Sequence, residues 1–180
     1  MKDYQDLQKL YAIAEIKENC VDVDFAYAFI SAMASSELDL SQWMPMLFVS
    51  EEESLSNQEI ATEFAQKVLA IYENCQQKLS LQVPLYLPEE GVIAFANGYL
   101  QALMLIDNVQ ALRFPEGSAE DNLQQTCLLL LDKLATPETN DAQKLAMFEQ
   151  LPSADEITPL LPTLLSHYGA QCLRFNGESE

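Results

Sequence analysis

Two apolar stripes constrain this chain more than any other feature. Ala26, Phe29, Ile30 and Met33 occupy positions i, i+3, i+4 and i+7, and Ala96, Tyr99, Leu100 and Leu103 repeat the pattern at an offset of 70. That spacing puts four side chains on one face of an α-helix. Beside each stripe lies a pair of small residues four apart, Ala28 with Ala32 and Gly98 with Ala102, which lets two helix backbones come close. The two segments read as central helices of one domain. An old duplication and chance similarity between two core helices both account for the echo.

The same period continues along the chain. Tyr4, Leu7, Leu10, Tyr11 and Ala14 predict a first helix, and Asp22 or Asp24 suits the cap of a second that runs to Ala34. Ser41 precedes a short turn, Gln42-Trp43-Met44-Pro45, and Ser56 or Asn57 opens a long helix through Leu79. Two prolines make Val83 to Pro88 non-helical. Pro88, Glu89 and Glu90 suit the first turn of a helix reaching about Ile106. Further helices are predicted from Ser118 to Leu134, from Thr136-Pro137-Glu138 to about Leu151, and from Ser153 to Phe175 with early interruptions at Pro159 and Pro162. Strand alternation is missing and only five glycines occur. The expectation is an all-α fold of about seven helices, with residues 1–180 forming one domain. A chain of this length buries roughly 70% of its unfolded surface and needs no disulfide or structural metal.

Charge narrows the function. The 28 acidic and 9 basic residues give a net charge of −19, while 49% hydrophobic content excludes a disordered acidic tail. Such a balance speaks against direct binding to a nucleic-acid backbone and against an anionic membrane surface. Unbroken apolar runs such as Phe25–Ile30 and Ala102–Ile106 fall far short of the roughly 20 residues of a membrane span. Met1 to Cys20 mixes charged and apolar residues, unlike a signal peptide, so a cytoplasmic location is expected. Cys20, Cys75, Cys127 and Cys172 form no C-x-x-C pair and read as buried, reduced thiols.

Catalytic patterns fail one by one. His167 is the one histidine, no G-x-S-x-G elbow occurs, and the glycines are scattered singly rather than gathered in a phosphate loop. Leu164 stands where a Glu-x-x-His di-iron pair needs glutamate, and Glu51-Glu52-Glu53 lacks the spaced ligands of a calcium loop. No catalytic residue, metal or cofactor is assigned.

Asp24-Phe-Ala-Tyr-Ala-Phe-Ile-Ser-Ala-Met-Ala34, followed by Ser41-Gln-Trp-Met-Pro-Met-Leu-Phe48, resembles the YecA/YgfB-like family of bacterial proteins. Phe95-Ala-Asn-Gly-Tyr-Leu-Gln-Ala-Leu103 is similar to that family's later Gly-Phe helix, and the likeness covers roughly residues 5–150. It implies an all-helical, often self-associating protein with no established activity. Ala28 and Ala32 stand where the family pattern has glycines, so the first helix contact is expected to be slightly wider here. The Cys-rich metal motif of longer members has no counterpart after Cys172, and zinc binding does not carry over.

Trp43, with Met44, Pro45, Met46, Leu47 and Phe48, fits either a core cluster or a partner surface. Between Lys17 and Lys67 no positive side chain occurs, while ten carboxylates do, among them Glu51, Glu52 and Glu53. The sequence therefore predicts a non-enzymatic acidic adaptor or regulator that docks a basic protein partner. Glu51, Glu52 and Glu53, flanked by Trp43 and Phe48, form the predicted docking site. The rivals are a metal-binding protein or enzyme built on carboxylates near His167, and a structural homodimer that buries the Trp43 cluster.

Overall fold

The computed structural model describes residues 1–50, 55–110 and 114–177. These contain helices α1 (Lys2–Tyr11), α2 (Ala14–Asn19), α3 (Val23–Met33) and α4 (Leu40–Trp43), then a 3-10 turn, Met44–Leu47. After it come α5 (Gln58–Ser80), α6 (Val92–Gln110), α7 (Ala119–Ala135), α8 (Ala142–Phe148), α9 (Ala154–Ile157) and α10 (Leu161–Gly177). The fold is all-α, as the periodicity requires.

Among the described residues there are ten helices in place of the expected seven, for local reasons. The predicted first helix stops at Tyr11 because Ile13 turns extended, with ψ 124°, and starts α2 in a new direction that sinks Ile16 into the core. Thr136 does not open a helix; its hydroxyl donates to the Asp132 carbonyl at 2.7 Å and closes α7. Asp141 opens α8 instead, accepting from the amides of Gln143 and Lys144. Pro88 to Glu90 precede α6 rather than form its first turn. The connector before them is tied to α10, with Ser166 Oγ donating to the Val83 carbonyl at 2.7 Å and the Leu85 amide to the Pro162 carbonyl at 3.3 Å.

At the centre lies α3, capped by Asp22, with every residue from Ala26 to Met33 buried. A helix apolar on all sides must be surrounded. Helices α1, α5 and α6 pack on it, and the successive contacts of α6 with α7, α7 with α10 and α10 with α5 lead back to α3, which is itself one member of the closed circuit. The two stripes meet where α3 crosses α6. A Cβ added at Gly98 would stand 2.2 Å from the Phe25 carbonyl oxygen, so the backbones touch at that point. Among the described residues, α6 alone is long and apolar enough to cross a membrane. Here it buries Phe95, Ala96, Tyr99 and Ala102 in the protein core. No single apolar run revealed that property, because Asn97 and Gln101 interrupt it.

Candidate docking surface

The predicted docking cluster divides. A capping box between Asp39 and Gln42 sets α4, and the 3-10 turn that follows, with Pro45 at its start, folds Trp43 and Leu47 inward. Trp43 is fully buried, its ring 6.2 Å from Phe29 and stacked 5.8 Å from Tyr72. This corrects the surface role expected for it: Trp43 is a core residue, and none of its ring is offered to a partner or a second copy. Phe48 is half-buried, its ring 5.7 Å from Phe64, and its backbone bridges to Cys20. Glu51, Glu52 and Glu53 lie outside the described residues. Both flanks of that segment attach to α2. The Val49 amide donates to the Asn19 carbonyl at 3.0 Å. On the other side Glu15 accepts from the Ser56 hydroxyl at 2.8 Å and from the Asn57 amide at 3.2 Å. The Ser56 hydroxyl first, and then the backbone amides of Asn57 and Ser56, hold the Glu15 carboxyl below the usual glutamate range.

A second acidic feature went unrecognised in the sequence. A cleft of about 380 Å³ is lined by Tyr4 and Gln8 of α1, Asp24 of α3, and Tyr86, Glu89 and Glu90 of the connector before α6. Tyr4 donates its hydroxyl proton to the Asp24 carboxylate and accepts from Gln8 Nε2 at 3.1 Å. Burial, reinforced by the Asp24 hydrogen bond, pushes the Tyr4 phenol well above its ordinary value, so it stays a donor at all physiological pH. The Tyr4 and Tyr86 rings lie 5.0 Å apart, and Tyr27 meets Tyr4 edge-on at 5.4 Å from below. Glu89 and Glu90 are exposed at the rim. Gly91 passes so close to Asp24 that a Cβ there would sit 1.9 Å from the carboxylate oxygen. Carboxylates beside aromatic rings are groups with which an ammonium or guanidinium pairs favourably. The signal in the sequence was Tyr86-Leu-Pro-Glu-Glu-Gly91, whose acids were absorbed into the expected helix start.

His167 is exposed, whereas Cys172 is buried and its thiol is pushed up to about 12 by that burial. Burial also raises Cys127 to about 12. Neither is a thiolate at neutral pH, so neither is an activated nucleophile. Among the described residues no three His, Cys, Asp or Glu side chains gather as a metal site. No family model, curated protein or solved structure matches the chain.

Proposed function

We propose that this protein acts by binding rather than by catalysis, as an acidic helical adaptor or regulator that captures a basic protein partner. The observation that carries this reading is the cleft of Asp24, Glu89 and Glu90 over Tyr4 and Tyr86, set in a chain of net charge −19. A lysine or arginine side chain gains there from paired carboxylates and from the ring faces, while the surrounding negative field speeds encounter. Glu51, Glu52 and Glu53, the acidic run in the sequence, are taken as further contacts for the same partner. Membership of the YecA/YgfB-like family is proposed on the two signature helices, α3 and α6, which come close at Gly98.

The test is affinity capture from native cytosol at low and high salt, comparing wild type with the triple reversal Glu51→Lys, Glu52→Lys and Glu53→Lys. The expected outcome is one basic protein retained at low salt, released at high salt and depleted by the reversal. Equal retention by both proteins at both salts contradicts an electrostatic docking role.

A further inference from the structure

Cations are scarce in this chain, seven lysines and two arginines against 28 carboxylates. Three of the seven lysines, Lys2 on α1 with Lys67 and Lys78 on α5, nevertheless line one groove of about 620 Å³. Two carboxylates already inside it show what the groove holds. Asp3 accepts from Lys78 Nζ at 2.5 Å and from Asn74 Nδ2 at 3.1 Å. Asp6 accepts from Lys9 Nζ at 3.0 Å. The Lys9 hydrogen bond holds the Asp6 carboxyl below its usual range, and the charges of Lys67 and Lys2 add to the effect. Lys2 and Lys67 therefore direct their fields into the same space, from two different helices. Yet neither makes an ion pair among the described residues, in a chain where carboxylates outnumber cations threefold.

We infer that the groove lined by Lys2, Lys67 and Lys78 binds a small phosphate-bearing anion. Ammonium groups act as compact point charges toward phosphoryl oxygens, and here three of them line one groove from two helices. The rest of the molecule sets the size limit. An extended polyanion would carry its outer charges onto an acidic surface, whereas a compact anion stays within the groove. Asp3 is the internal competitor, because it occupies Lys78 and Asn74 until a stronger anion displaces it. This site lies on the side of α1 away from Tyr4 and Gln8, and the inference stands apart from the docking cleft.

The test is a titration of the full chain with pyrophosphate at constant ionic strength, following the lysine ε-methylene signals by NMR. Saturable shifts are expected at Lys2, Lys67 and Lys78 and not at Lys133 or Lys144. Lys67→Glu and the exposed Lys2→Glu each weaken binding by about tenfold or more, with helix content unchanged by circular dichroism. Asp3→Asn binds more tightly than wild type. Linear, unsaturating shifts of equal size at all five lysines overturn the inference. So does saturable binding that neither lysine reversal weakens.

Discussion

Gln82 holds a backbone conformation that suits glycine. Its φ of +54° places it one residue past the cap of α5, where its amide bonds to the Leu79 carbonyl and the Val83 amide to the Lys78 carbonyl. This paired arrangement closes the helix, and a side chain in the left-handed region costs about 1–2 kcal/mol. Gln82→Gly is accordingly expected to stabilise the protein by about 0.5 kcal/mol after the loss of unfolded-chain restriction, read as a higher urea midpoint at unchanged slope. Nothing in the sequence marked this position, because Leu81-Gln82-Val83 carries no turn residue. Trp43 shows a different limit at the same scale. An aromatic among methionines looks the same in sequence whether it faces a core or a partner, and only Phe29 and Tyr72, brought from α3 and α5, decide that it faces inward. Tyr4 was recognised as a buried helix position. Its hydroxyl contact with Asp24, twenty residues away, depends on a helix crossing that periodicity does not specify.

The α3–α6 crossing is the element-scale feature that was most legible beforehand, since its stripes and small pairs are local patterns. Its tightness rests on Gly98. Gly98→Ala would drive a methyl group into the Phe25 backbone, and backbone cannot rotate away as a side chain can. The expected cost is about 1–3 kcal/mol, measured as a lowered denaturation midpoint. A destabilisation near zero would show that α3 and α6 separate easily. The attachment of α5 to α2 has its own signature. Glu15 titrates below its ordinary value in the folded protein, so its contribution is present above that value and is lost as the carboxylate takes up its proton. Glu15→Gln should therefore lower the urea midpoint at pH 7, and the gap should close as pH falls below about 4.3. A gap that persists at pH 3 would mean that the carboxylate charge is not what holds Ser56 and Asn57. Helix starts were harder to place than helix existence. Asp22 and Asn57, each one of two candidates in the sequence, cap α3 and α5, and Ser118, expected as a first helical residue, caps α7. The start of α6 moved because its connector is anchored to α10, a tertiary tie with no local sign.

On the scale of the whole molecule, charge and packing divide the labour. The apolar residues close a circuit of helices, α3, α6, α7, α10 and α5, and the acidic excess is left to the outside, where it steers encounters without shaping the fold. A cleft gathered from α1, α3 and the connector before α6 is a product of tertiary packing, so the run Glu51–Glu53 is legible in the sequence while the joining of Glu89 and Glu90 to Asp24 is not. The account's central claim is that this cleft recognises cationic side chains of a protein partner. The most direct measurement is the affinity of the captured basic partner for wild type and for the double variant Glu89→Lys, Glu90→Lys, titrated across ionic strength. Both residues are exposed, so the fold is expected to survive the change. The account predicts that the variant loses affinity by at least about tenfold, the scale of 1.4 kcal/mol in one close charge-pair interaction. It also predicts that the dependence on salt becomes shallower. Equal affinity and equal salt dependence in the two proteins would contradict it.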